Sequence, residues 1–413
     1  MLNSLFSPWP SFTQEEVEAV QRVLLSNKVN YWTGRECREF EAEFAAFAGT
    51  RYAVALANGT VTLEAALLAL GIGAGDEVVV TPRTFLASVS SIVSVGAKPV
   101  FADVDRDSQN ITAGTVARVL SPRTRAIICV HLAGWPCDMD PIMALSREHG
   151  LFVIEDCAQA HGARYKGRSV GSIGHVGSWS FCQDKIMTTG GEGGMVTCND
   201  EVLWRTMWAY KDHGKSYSAV YERQQSPGFR WLHESFGTNW RMTEMQAAIG
   251  RIQLRRMAHW TSARTENALS LRGALLPFSG EGGVVRLPVH RCSGCAAEPR
   301  TGSCEVTSAC VHAYYKLYAF VEPEMLAQGW SRDRIVQEIN ARGVPCYTGS
   351  CSEVYLERAF DNTDFRPEER LTVAKELGET SLMFLVHPTL TKAEIAMTKT
   401  VISEVLTSAW AKF

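Results

Sequence analysis

Residues 177–196 read Gly-Ser-Trp-Ser-Phe-Cys-Gln-Asp-Lys-Ile-Met-Thr-Thr-Gly-Gly-Glu-Gly-Gly-Met-Val. A strand-like run ends at Ser180-Phe181, Lys185 follows, and a glycine-rich turn, Gly190 to Gly194, closes the stretch. A nucleotide-hydrolase phosphate loop needs its Lys-Ser/Thr after the glycines, and here Lys185 precedes them. A nucleophile elbow needs Gly-x-Ser-x-Gly, and Ser180 has Ser178 and Cys182 in those places. A lysine set against a tight glycine turn can instead form a Schiff base with an aldehyde cofactor. On this stretch alone, a solvated lysine beside a hairpin stays open as well.

Three further stretches bear on the choice. Residues 153–159, Val-Ile-Glu-Asp-Cys-Ala-Gln, place an acid at the end of a buried strand. A pyridine cofactor draws electrons best while its ring nitrogen is protonated, and a fixed carboxylate such as Asp156 keeps it so. The plain alternative for Asp156 is a helix N-cap. Asn58-Gly59-Thr60 opens a helix, where backbone amides bind phosphate and glycine permits close approach; an ordinary cap is again the alternative. Phe85 follows a strand, where an aromatic can lie on a cofactor ring or simply join the core.

The chain around these stretches alternates short apolar runs with helical patterns. Residues 15–25 and 37–47 carry apolar residues at helical spacing. Residues 78–80, 99–104, 126–131 and 152–154 read as strands, and residues 61–70 and 87–95 as helices. Such alternation predicts an α/β fold, a mainly parallel sheet covered on both faces, with ligands beyond the strands' carboxyl ends. Asn58 to Thr60, His131, Asp156 and Ser180 fall there. From 241 to about 272 the pattern is helical for many turns, with a break allowed. Helices at 331–342, 368–379 and 392–410, with short strands between, predict a smaller α+β domain. The expected division is 1–255 for an N-terminal arm and large domain, and 256–413 for the smaller one.

Composition narrows the class. Over 413 residues, 46% hydrophobic and 21% charged content excludes wholesale disorder, and a net charge of −3 argues against a nucleic-acid binder. The first twenty residues lack the basic and apolar regions of a secretory signal. Residues 52–75 hold no Lys, Arg or Asp, yet Asn58, Thr60, Thr62 and Glu64 mark them as strand, turn and helix rather than a membrane span. Twelve scattered cysteines point to reduced thiols of a cytoplasmic protein. Cys292 and Cys295 have zinc-ligand spacing, but Cys304 and Cys310 do not complete it, so no metal site is expected.

A phosphate cradle, an aromatic, an acid and a lysine thus come in the order of the type I pyridoxal-phosphate fold. The chain resembles the DegT/DnrJ/StrS family of sugar aminotransferases over nearly its whole length. The resemblance rests on Gly59-Thr60, residues 96–101 (Gly-Ala-Lys-Pro-Val-Phe) and residues 131–136 (His-Leu-Ala-Gly-Trp-Pro). It continues in residues 155–163, Lys185 with Gly190 to Gly194, Asp212-His213-Gly214, and residues 239–244 (Asn-Trp-Arg-Met-Thr-Glu).

The resemblance implies a large domain with a mixed, mainly parallel sheet and a smaller C-terminal domain. It implies pyridoxal 5'-phosphate bound to Lys185 as a Schiff base, with Asp156 on the pyridinium nitrogen and Gln159 near the ring hydroxyl. Phe85 is then the stacking residue, and Gly59, Thr60 and Ser180 hold the phosphate. Asn239 is expected to reach the phosphate from the neighbouring subunit of a homodimer, which would also give the first thirty residues a packing partner. The implied reaction carries an amino group from an amino acid, L-glutamate by family habit, to a nucleotide-linked keto-sugar in amino-sugar biosynthesis for lipopolysaccharides or antibiotics. Tyr31, Trp32, His213 and Arg230 are the expected substrate contacts, with Lys215 and Arg241 further candidates. No nucleic-acid or membrane partner is implied. Relatives that dehydrate sugars carry histidine at the lysine position, so Lys185 favours aminotransfer over a sugar dehydratase; a keto-cyclitol aminotransferase is the other alternative. Residues 349–355 and the placing of Pro82 depart from the family pattern and leave the sugar and nucleotide open.

Overall fold

In the strand β2 (Glu77–Val80), Val78 and Val80 face one hydrophobic layer with Ile128 and Ile154. Val79 faces the opposite layer with Ile127 and Val153. This is the two-residue period of a strand, and covering both faces is why the run is apolar throughout. The computed structural model describes residues 6–224, 230–289, 292–293 and 310–411.

The first body begins with helices α1 (Gln14–Leu25) and α2 (Glu36–Ala48) and strand β1 (Tyr52–Leu56). Helix α3 (Gly59–Ala69), β2, α4 (Ala87–Ser94), β3 (Lys98–Phe101), α5 (Ala113–Ala117), β4 (Thr124–Val130), α6 (Met139–His149) and β5 (Phe152–Asp156) follow in alternation. A small hairpin, β6 (Arg164–Tyr165) and β7 (Arg168–Ser169), precedes β8 (Val176–Ser180) and β9 (Gly194–Cys198), then α7 (Glu201–Tyr210) and α8 (Tyr217–Tyr221). Seven strands form one sheet in the order β1-β9-β8-β5-β4-β2-β3. Strands β8, β5, β4, β2 and β3 are parallel, and β9 runs against both β1 and β8. The carboxyl ends of β1, β2, β4, β5 and β8 therefore share one edge, which carries Asn58, Phe85, His131, Asp156 and Ser180.

Helix α9 (Glu244–Leu275) runs unbroken for 32 residues from a Thr243 capping box. The expected division at 255/256 falls inside this helix. Beyond it, β10 (Val285–Arg286), β11 (Leu317–Val321), β12 (Cys346–Tyr347) and β13 (Ser381–Phe384) form an antiparallel sheet in the order β10-β11-β13-β12. Helices α10 (Arg332–Ala341), α11 (Thr372–Thr380) and α12 (Lys392–Ala409) complete this part. Among the described residues no helix is long and apolar enough to cross a membrane.

One expectation needs correction. Strand β3 stops at Phe101 rather than 104, because Asp103 turns away and its carboxylate accepts from the amides of Val373 and Ala374 at 3.0 and 2.9 Å, capping α11. Residues 9–16 find some partners within their own chain, while Val17, Leu24 and Leu25 of α1 stay exposed. Glu15 and Glu16 pair with Arg256 at 2.8 and 2.7 Å, and the Trp9 ring meets Trp260 edge-on at 5.0 Å. The cysteine cluster is partly visible: Cys292 Sγ and Cys310 Sγ lie 3.4 Å apart with no disulfide between them, while Cys295 and Cys304 lie outside the described residues.

Glu155, fully buried in β5, ties the sheet edge together. Its Oε1 accepts from the amides of Ile173 and Gly174, both at 2.7 Å, and its Oε2 from the Gly171 amide at 2.9 Å. The Cys137 amide donates to His131 Nδ1 at 3.0 Å, so Nε2 carries the ring proton and donates to Glu155 Oε2 at 3.1 Å. Burial alone would raise the Glu155 carboxyl, but His131 and the loop amides outweigh it and hold the group below the ordinary carboxylate range.

Glu155→Ala leaves three buried amides without an acceptor and should cost about 3–5 kcal/mol, read as a lower thermal midpoint. Because the folded-state value is depressed, the Glu155 contribution is complete above the ordinary carboxylate range and is lost as pH falls through the depressed value. Thermal midpoints measured against pH should show that acid limb in the wild type and a shallower one in Glu155→Gln.

Candidate active site

Asp156 is the last residue of β5 and is buried. Its Oδ2 accepts from Ser88 Oγ at 2.8 Å, and Ser88 in turn meets Thr84 Oγ1 at 2.8 Å. The Ala158 amide donates to Oδ1 at 3.1 Å. Burial raises the Asp156 carboxyl above its ordinary value, against the opposing pull of Ser88, the Ala158 amide and Lys185. A carboxylate so placed favours a cation beside it. Gln159 turns its Oε1 to the Ala133 amide at 2.9 Å and keeps its NH2 for another acceptor.

Lys185 stands in the loop between β8 and β9. Its Nζ lies 3.4 Å from Asp184 Oδ1, and its backbone oxygen accepts from Trp9 Nε1 at 2.8 Å. The Tyr315 hydroxyl donates to Asp184 Oδ2, and the Lys185 ammonium sits 5.5 Å from the Tyr315 ring centre. Burial would raise the Asp184 carboxyl; Lys185 and Tyr315 reverse that and hold it below its ordinary value. The turn after Lys185 needs its glycines: Gly190 and Gly191 have φ of +89° and +121°, which β-carbon-bearing residues avoid.

At the start of α3, Asn58 caps its own helix, accepting from the amides of Thr60 and Val61 at 3.0 and 3.1 Å. The cap reading of this stretch is therefore correct, and it leaves the Gly59 amide and the Thr60 and Ser180 hydroxyls for an anion. The backbones are close: a Cβ on Gly59 would lie 2.5 Å from Ser180 Cβ and 3.0 Å from Ser180 Cα. Phe85 is 72% exposed at the same sheet edge. Residues 351–354 reach this edge from the second body, Thr84 donating to the Cys351 oxygen at 3.1 Å and Val354 to that of Pro82 at 3.0 Å.

The sequence profile of the DegT/DnrJ/EryC1/StrS aminotransferase family matches residues 10–405. This chain belongs to that family. A GDP-perosamine synthase of Escherichia coli O157:H7 is 41% identical over 263 residues, 63% of this chain and 68% of its own length. One from Caulobacter vibrioides is 44% identical over 56% of this chain and 59% of its own. Among solved structures, an aminotransferase from Psychrobacter cryohalolentis is 64% identical and superposes with a TM-score of 0.92 over 97% of this chain and 99% of that one.

The protein is an aminotransferase of the pyridoxal-phosphate-dependent fold, and pyridoxal 5'-phosphate is its cofactor. The residues fit that group: a primary amino group on Lys185, a buried carboxylate on Asp156 that favours a cation, and a cradle at Gly59 that one methyl group would fill.

The other expected residues of the aminotransferase are placed differently. Tyr31 is buried, donating to Glu41 Oε2 at 3.1 Å and accepting from Trp208 Nε1 at 3.1 Å, with Lys211 Nζ 3.7 Å from its ring centre. Trp32 carries Lys215 Nζ at 4.2 Å from its ring, and its own indole N–H has no hydrogen-bond partner among the described residues. His213 and Arg230 are exposed. Asn239 is exposed too, bridged to Asp212 on a segment whose Arg241 pairs with Leu56 of β1.

Sequence reasoning missed a charged cluster behind Tyr31. Burial lowers Lys211 to about 8 and raises Glu41 to about 6, each opposed by the other's charge. It also missed Trp9, Ser88 and Tyr315, which no spacing rule links to Lys185 or Asp156. Asp184 adjoins Lys185 in the chain and was the one such signal available.

Gly59→Ala should weaken cofactor binding by about tenfold, or about 1.4 kcal/mol, measured by titrating cofactor-free protein with pyridoxal phosphate.

Proposed function

We propose that this aminotransferase moves the amino group of an amino acid, L-glutamate first among donors, to the carbonyl of a nucleotide-linked keto-sugar. The observation that carries the reading is Lys185, a free amine held by Asp184 at 3.4 Å on the sheet edge that also bears Asp156. The sugar-nucleotide acceptor draws support from the names of the GDP-perosamine synthases to which the chain is similar.

When bound, pyridoxal phosphate supplies an aldehyde that takes up the donor's amine and a protonated ring that withdraws electrons from the neighbouring carbon. Lys185 would anchor it through Nζ. Gly59, Thr60 and Ser180 would hold its phosphate, Asp156 its ring nitrogen, Gln159 its hydroxyl and Phe85 its face. Once the donor displaces it, Lys185 Nζ is the group that takes a proton from the substrate carbon and returns it. Asp184 keeps that amine near the reacting carbon, and Tyr315 fixes Asp184. Phe85 excludes water from the exposed side.

A homodimer completes the site in this reading, with Asn239 reaching the partner's phosphate. Trp231 and Phe236, on the same segment as Asn239, are 86% and 99% exposed, and a second copy is the natural cover for such rings. The absence of a disulfide among the described cysteines accords with a cytoplasmic protein.

Lys185→Ala should abolish turnover and release its cofactor intact on denaturation, with no lysine-bound absorbance before or after L-glutamate is added. Wild-type protein should show that absorbance and lose it to L-glutamate; its absence in the wild type overturns the assignment. The shared site has its own test. Mixing inactive Lys185→Ala and Asn239→Ala chains through a denatured state should restore about a quarter of wild-type activity, because half the dimers are mixed and each mixed dimer holds one intact site. No recovery from two variants that are each inactive alone would place Asn239 in its own chain's site, and an Asn239→Ala protein active by itself would place it outside.

A further inference from the structure

Lys316 adjoins Tyr315 at the entry to β11, and the two amines near Tyr315 are differently placed. Lys185 has its acid partner, Asp184. Lys316 Nζ lies 4.9 Å from the centre of the Tyr315 ring, which Lys185 Nζ approaches to 5.5 Å. Among the described residues, no carboxylate comes within ion-pair distance of Lys316. Arg264 is a second cation with no carboxylate in ion-pair distance among the described residues, its guanidinium 4.9 Å from the centre of the Trp9 ring. That guanidinium donates to the backbone oxygens of Tyr314 and Tyr315 at 3.4 and 3.5 Å and leaves its Nε and one terminal nitrogen unpartnered. Burial, then the charges of Arg264 and Lys185, lower Lys316 to about 8, with Asp184 pulling the other way. A half-buried ammonium that feels Asp184 only at a distance, with no carboxylate in contact, is costly to keep, and an arriving anion lowers the cost.

The chemistry of the neighbouring lysine says which anion. In transamination the donor's nitrogen replaces Lys185 Nζ on the cofactor. In every amino acid the α-carboxylate oxygens lie about 3 Å from that nitrogen. Lys316 shares the Tyr315 ring with Lys185, each ammonium within 5.5 Å of its centre, and so is the neighbouring cation toward which the donor's carboxylate can turn.

We propose that Lys316 is the residue that receives the α-carboxylate of the amino donor. The inference rests on the aminotransferase reading above and adds to it a donor-specificity residue.

The test uses the cofactor-loaded protein and follows the lysine-bound absorbance in wild type, Lys316→Met and Lys316→Arg. Two amines are compared: L-glutamate, and hydroxylamine, which attacks the same carbon without a carboxylate. Lys316→Met should raise the L-glutamate concentration needed for half conversion by about tenfold, the loss expected for one hydrogen bond between charged groups. Its rate with hydroxylamine should stay at the wild-type value, and Lys316→Arg should recover most of the glutamate affinity. An unchanged response to L-glutamate overturns the proposal. So does an equal loss with both amines, which would mark Lys316 as a structural residue. A wild-type protein with no lysine-bound absorbance would instead sink the aminotransferase reading itself, and the two failures are distinct.

Discussion

Two adjacent carboxylates end β5, and they point opposite ways. Side chains of neighbouring residues leave a strand on opposite faces, so fixing Glu155 also aims Asp156. Glu155 is held by three loop amides and His131, all within 3.1 Å. That leaves Asp156 turned toward Ser88 and the open edge of the sheet. The same anchor reaches the rest of the site. His131 begins the loop whose Ala133 amide meets Gln159, and the Ala133 oxygen accepts from the Tyr315 amide at 2.9 Å. Tyr315 holds Asp184, and Asp184 holds Lys185. A single satisfied buried acid thus sits at one end of a chain of contacts whose other end is the reactive amine.

The electrostatics divide along the same line. Asp156 is raised by burial and favours the arrival of positive charge; Asp184 is lowered by the charge it already has. Two carboxylates on one sheet edge therefore take different parts, one awaiting a cation and one spent on Lys185. The environment, rather than the residue type, separates them.

Much of this was legible in the sequence because it is local. The valines of β2, the acid ending β5 and the glycines after Lys185 each follow from a short-range rule of strand period, strand-end chemistry or backbone freedom. The 32-residue helix shows its periodicity, though nothing in its sequence told whether it breaks. What escaped depends on pairs far apart in the chain. Trp9 bonds to a residue 176 positions away, and Tyr315 to one 131 away. The N-terminal helix looked partnerless because its acids, Glu15 and Glu16, meet their arginines only once α9 has formed. Asp103 looked like part of a strand because its role, capping α11, belongs to an element 270 residues on.

Helix α9 also sets the mechanics of the molecule. It starts at its cap beside the main sheet and passes through Arg264, which grips the backbone of Tyr314 and Tyr315, before it reaches the second sheet. At 1.5 Å per residue, Arg264 lies about 30 Å from the first turn. A bend of about 5° near that turn moves Arg264 by about 2.6 Å, close to the length of a hydrogen bond. The strut has no proline and no break to absorb such a bend. Its stiffness therefore governs how Lys316, which follows the gripped backbone, stands relative to Lys185 beside the main sheet, so a kink introduced at the first turn of α9 would act on Arg264 from about 30 Å away.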